Sequence, residues 1–138
     1  MTHTIDERIA ELKKQRDAVV LAHFYVPSEV QAIADYVGDS FYLSKLAASL
    51  PNKTIVFAGV EFMGESAKLL SPEKTVYLPE PCADCPMAHM VNKKDIDSVR
   101  TMYPDLAVVC YVNSTAEIKS WSDVCVTSSN ALKIVKKL

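Results

Sequence analysis

Two segments of this chain lie over one another without a gap. Asp17–Leu50 (DAVVLAHFYVPSEVQAIADYVGDSFYLSKLAASL) and Asp105–Leu138 (DLAVVCYVNSTAEIKSWSDVCVTSSNALKIVKKL) are each 34 residues long and stand 88 residues apart. Seven positions are identical: Asp17/Asp105, Val20/Val108, Glu29/Glu117, Asp35/Asp123, Ser40/Ser128, Lys45/Lys133 and Leu50/Leu138. Average composition would give roughly two. A repeat of this size constrains the fold more than any single motif, because the topology of one copy becomes the expectation for the other.

The first copy opens on AVVLAHFYV, a β-branched and aromatic run too short for a buried helix, which reads as a parallel strand buried on both faces. Before it, Thr4 and Glu7 form a capping-box signature, and Ile5, Ile9 and Leu12 follow at helical spacing, so a helix is expected over 4–15. Pro27 and Ser28 open a helix expected to run through Tyr36. Gly38-Asp39-Ser40 breaks it, and a second helix is expected over 41–50. Strands over 54–58 and 75–78 flank a helix over 63–70. Beyond the PCADCPMAHM loop, helices are expected over 93–102, 115–121 and 129–137, and strands over 106–112 and 124–126. Strands alternating with helices predict an α/β chain with parallel sheets.

With 49% hydrophobic and 23% charged residues and a net charge of −2, the 138-residue chain is expected to fold around a real core. It has no Lys/Arg cluster that would suit nucleic acid or a membrane surface. The longest apolar run, Ala18–Val26, is short and carries His23, so no transmembrane helix is expected. The N-terminus is too charged for a signal peptide. The expected compartment is the cytoplasm, where Cys82, Cys85, Cys110 and Cys125 favour metal binding or catalysis over structural disulfides.

Several residues are candidates for chemistry. Cys82 and Cys85 could be half of a zinc ribbon, but Cys110 and Cys125 are too far apart to complete it, and a thioredoxin-like dithiol would follow a first strand. Cys85 precedes Pro86, which suits a helix start whose dipole favours a thiolate; ligand and buried structural cysteine both remain open for it. Cys110 and Cys125 lie on apolar strands and read as core. His23 and Tyr25 end the first strand and fall opposite Tyr111 and Asn113 in the second copy. They fit a packed sheet edge or a ligand site, and their repetition at strand carboxyl ends favours a site shared by the copies. Ser40 and Ser128 are N-cap candidates, and the backbone N–H groups of a helix start also suit an anion. His89 reads as surface or outer support of a site, and Met63 and Glu65 as core and cap.

AHFYVPSEVQAIADYVGDS, IVFAGVEFMGESAKLLSPEKTVYLP, CPMA, YVNSTAEIK and VCVTSSNA, in this order, resemble the quinolinate synthases of NAD biosynthesis. The resemblance implies three-layer α/β/α domains with parallel sheets arranged as a pseudo-threefold repeat. It implies a first domain over 1–84, the first half of a similar second over 85–138, and a third absent. It further implies condensation of iminoaspartate (iminosuccinate) with dihydroxyacetone phosphate, the former supplied by L-aspartate oxidase or aspartate dehydrogenase. A [4Fe–4S] cluster with an open iron would act as Lewis acid, held by one cysteine per domain. By position, Cys85 would be the first ligand, and Cys82 is not demanded by that pattern. His23 and Ser40 would hold carboxylate or phosphate groups, Tyr25 would be an acid/base, and Tyr111, Asn113 and Ser128 would serve from the second copy, Tyr111 also in catalysis. The counterpart of Cys85 would fall 88 residues on, beyond Leu138. An inactive fragment or assembly subunit without a cluster is therefore the alternative expectation.

Overall fold

The computed structural model describes residues 4–138; Met1–His3, the start of the first expected domain, lie outside the described residues. The chain divides into two compact units, Met1–Asp84 and Cys85–Leu138. The first is built on a four-stranded parallel sheet in the order β2-β1-β3-β4. Helix α1 (Ile5–Gln15) starts at the expected capping box: Glu7 N–H donates to Thr4 Oγ1 at 3.3 Å, and Thr4 N–H to Glu7 Oε2 at 2.8 Å. The chain then enters β1 (Ala18–His23), whose last five residues are all buried, as befits a central parallel strand.

The helix expected from Pro27 to Tyr36 ends early. α2 covers Ser28–Ile33, and Tyr36–Gly38 form β2, a strand at the sheet edge. Ala34 leaves the helix at φ −75°, ψ 148°. Asp35 then locks the chain to β1: its N–H donates to Val20 O at 2.9 Å, and its carboxylate accepts Val20 N–H at 2.8 Å. Helical propensity in this stretch is a weak preference that the strand pairing overrides.

Helix α3 (Ser40–Ser49), strand β3 (Thr54–Ala58), helix α4 (Glu61–Leu70) and strand β4 (Thr75–Tyr77) complete the first unit. Right-handed crossovers fix which helix covers which face. The step from β1 to β2 runs one way across the sheet and those from β2 to β3 and β3 to β4 run the other way, so α2 lies on one face and α3 and α4 share the opposite one. α3 and α4 indeed pack together. Leu21, Ile55 and Phe57 on the strands and Leu43 on α3 are wholly buried, each worth about 1.5–3 kcal/mol of apolar burial. Lys74 is buried, and its ammonium donates to Ala47 O at 2.6 Å and to Leu50 O, capping the end of α3.

The second unit opens with a 3-10 turn (Pro86–His89), followed by α5 (Lys93–Met102), β5 (Val109–Tyr111), α6 (Ala116–Ser120), β6 (Val124–Val126) and α7 (Ala131–Val135). Strands β5 and β6 form a two-stranded parallel sheet. The repeat is present in register as well as in sequence. Leu21↔Tyr36, Ala22↔Val37 and His23↔Gly38 in the first copy become Val109↔Val124, Cys110↔Cys125 and Tyr111↔Val126 in the second, each 88 residues on. The Asp35 lock recurs too: Asp123 N–H donates to Val108 O at 2.9 Å and its carboxylate accepts Val108 N–H at 2.7 Å. Both aspartates face a cation from the helix that precedes the partner strand, Lys13 of α1 at 2.7 Å and Arg100 of α5 at 2.9 Å.

Candidate functional site

In a sheet of order β2-β1-β3-β4 the connections diverge between β1 and β3, and open parallel sheets hold their ligands at the carboxyl ends of the strands at such a point. His23 is the last residue of β1, so the first copy's candidates sit at this switch point. His23 is buried at 6% exposure, whereas Tyr25, in the turn that follows, is 84% exposed. Their rings meet edge-on with centroids 4.6 Å apart, and Phe24 stacks on His23 at 4.4 Å.

The imidazole is fixed by its own loop. Its Nδ1 accepts Tyr25 N–H at 3.3 Å, which assigns the neutral-ring proton to Nε2. Burial pushes the His23 pKa below its ordinary value, with the Asp39 carboxylate opposing that shift. His23 is thereby held as a neutral ring with an Nε2–H donor. Asp39 escaped the sequence reading. It is the N-cap of α3, accepting Tyr42 N–H at 2.8 Å, so Ser40 is the first residue of the helix and not its cap. An Asp directly after Gly38 was the available signal. Gly38 lies against Tyr42: a Cβ there would come within 3.0 Å of two ring carbons.

The second copy repeats the arrangement. Tyr111 ends β5 and is 45% exposed, Asn113 is partly buried in the bend beyond it, and Tyr111 pairs with Val126 as His23 pairs with Gly38. Ser128 lies two residues past Val126, as Ser40 lies two past Gly38. Ser128 is exposed in a turn and caps nothing; α7 starts later, at Ala131, and Asn130 Oδ1 turns back to accept Thr127 N–H at 2.8 Å. Within each unit the serine follows, by two residues, the register partner of the strand-end residue, although neither serine is an N-cap.

Cys85 is partly buried and directly precedes the 3-10 turn, its carbonyl accepting Ala88 N–H at 2.8 Å. The expected α-helix start is thus a single short turn, with much less dipole than a full helix supplies. Cys82 is exposed, its N–H held by Glu80 at 2.9 Å. Cys110 is buried as expected, but Cys125 is exposed at the sheet edge. His89 is exposed and Met63 is core. Among the described residues, no three His, Cys, Asp or Glu side chains stand together as a metal-binding group, and no helix is long and apolar enough to cross a membrane.

Comparison with known proteins supplies the family. A family model described as "NadA: Quinolinate synthetase A protein" matches residues 7–138. A protein named quinolinate synthase from Fusobacterium nucleatum is 64% identical over 132 residues, 96% of this chain and 44% of its own length. Another so named, from Dehalococcoides mccartyi, is 55% identical over 99% of this chain and 45% of its length. A third, from Caldicellulosiruptor saccharolyticus, is 55% identical over 96% and 44%. The chain spans less than half the length of these relatives. The chain belongs to the quinolinate synthetase A family.

Proposed function

We propose that the protein to which this chain belongs is a cytoplasmic quinolinate synthase, condensing iminoaspartate with dihydroxyacetone phosphate, with loss of phosphate and water, in NAD biosynthesis. The upstream enzyme would be L-aspartate oxidase or aspartate dehydrogenase. On this reading residues 85–138 are the first half of a second domain like the first. The observation that carries the proposal is the pair of matched strand ends: His23 and Tyr111 end strands of identical register, with Tyr25 and Ser40 in one copy and Asn113 and Ser128 in the other at the same 88-residue offset. Family membership supports it.

His23 is the anchor with the clearest chemistry. A neutral imidazole with Nε2–H donates to a carboxylate or phosphate oxygen without becoming an acid. Ser40, two residues past the register partner of His23, adds a hydroxyl. Tyr25, exposed and hinged on the same turn, is the proton donor and acceptor through its phenol oxygen. Tyr111, Asn113 and Ser128 bind and orient substrate oxygens, Tyr111 also serving as a proton carrier.

The cofactor is a [4Fe–4S] cluster, and Cys85 is the first of its ligands. A partly buried cysteine outside any disulfide, with its backbone held by a 3-10 turn, suits that soft-ligand role. When bound, the cluster supplies a Lewis-acidic iron with an open position.

The test is anaerobic reconstitution of the protein at the relatives' full length, followed by quinolinate assay. His23→Gln and Tyr25→Phe should each lower turnover more than tenfold with the fold intact by circular dichroism. Cys85→Ala should lose cluster absorption and Cys82→Ala should keep it. Full activity in both the His23 and Tyr25 variants, or cluster loss with Cys82→Ala alone, would overturn the assignment.

A further inference from the structure

The two strands of the second unit carry a pair of thiols at one register position. Cys110 of β5 stands opposite Cys125 of β6. Neighbouring strands lie about 4.8 Å apart, within the Cα separations that a disulfide spans. Register partners in a parallel ladder send their side chains to the same face, and the Cys110 Sγ–H donates to the neighbouring Tyr111 O at 3.2 Å. Cys110 is buried and Cys125 exposed, so one sulfur is reachable from solvent and the other waits beside it. The equivalent register pair in the first copy is Ala22 and Val37, again one buried and one exposed. The fold therefore does not require sulfur at this place.

We propose that Cys110 and Cys125 form a reversible disulfide site, closed by a low-molecular-weight disulfide of the oxidised-glutathione class and reopened by the corresponding thiol. The Cys125 thiolate attacks one sulfur of the small disulfide, whose S–S bond breaks and releases one thiolate, which takes a proton from solvent. The Cys110 thiolate then attacks Cys125 Sγ, expelling the second small thiolate. Two protein thiols are oxidised to one disulfide and the small disulfide is reduced to two thiols. The bridge ties β5 to β6 one residue before Tyr111 and three before Ser128. Partial desolvation of the sulfur, and then the Cys110 thiol, push the Cys125 pKa up, while Lys119 pulls it down. Closure is therefore slow near neutrality and speeds up as pH rises.

Peptide mapping tests this on the whole chain. The reduced chain is equilibrated with oxidised glutathione, remaining thiols are alkylated, and trypsin is added. Cleavage after Arg100, Lys119 and Lys133 puts Cys110 in Thr101–Lys119 and Cys125 in Ser120–Lys133, while Cys82 and Cys85 share Thr75–Lys93. The expected result is a dominant link between the first two peptides, forming faster at higher pH and absent in Cys125→Ser. In Cys110→Ala, which takes the side chain of the first copy, Cys125 should instead accumulate a glutathione mixed disulfide. Two outcomes overturn the proposal: the peptides recovered separately from the folded wild-type chain, or the same link formed equally well in guanidinium, which would mean that the fold does not place the pair.

Discussion

At the scale of single residues, His23 shows how a fold sets a protonation state. Its folded pKa is lowered by burial, so the unfolded chain binds the proton more readily than the folded one. Stability is then fully present above the ordinary histidine value of about 6.5 and is lost as pH falls from there through the lowered folded value. Thermal midpoints measured across that window should fall with pH for the wild-type chain and fall less for His23→Gln; parallel curves would show that His23 does not carry the effect. Gly64, inside α4, gives a second case at this scale. A Cβ there would lie 2.7–3.0 Å from three atoms of the Leu78 side chain. Alanine gains about 0.8–1 kcal/mol of helix propensity, but overpacking of about 1–3 kcal/mol outweighs it. Gly64→Ala should lower the denaturant midpoint, and adding Leu78→Ala should relieve part of that loss relative to Leu78→Ala alone.

At the scale of elements, the paired aspartates matter most. Asp35 and Asp123 each join the start of an edge strand to the strand before it and to a cation on the helix that leads into that earlier strand. Asp35→Ala leaves Val20 N–H without its side-chain acceptor, at a cost of about 1–3 kcal/mol, and should speed amide exchange at Val20 well ahead of residues in α4. The Asp123 carboxyl lies below its usual range, first because Val108 N–H donates to it, with Arg100 assisting against some desolvation. Its stabilisation is present above the unfolded carboxylate value and lost as pH falls through the lowered one. The sequence carried a signal for β2 that helical patterning hid. Its own repeat maps the strand expected over 124–126 onto Tyr36–Gly38, and the observed register agrees.

At the scale of the molecule, the two units differ in how much sheet they own. The first has four strands with β1 and β3 inside, whereas the second has β5 and β6 alone. A two-stranded sheet has little independent stability. Hydrogen exchange followed by mass spectrometry should find β1 and β3 amides protected much longer than those of β5 and β6; equal protection would show that the second unit is held by more than its own ladder.

The α/β class, most elements and the family were legible in the sequence, because hydrophobic period, caps and a repeated 34-residue pattern are local quantities that residue order records directly. Helix 93–102 and strands 54–58 and 124–126 fall where they were expected. Strand-end residues could be picked out too, since a repeat aligns positions whatever their surroundings. Only the tertiary structure decided that Asp39 and not Ser40 caps α3, that Ser128 sits in a turn, that Cys85 begins a 3-10 turn and that Cys125 faces solvent. Each of these depends on where a neighbouring strand or helix stops. His23 depends on it as well, because its neutral Nε2–H form follows from burial at the end of β1 and from the Tyr25 N–H on Nδ1. Burial and hydrogen bonding are relations between segments, and no single segment encodes them.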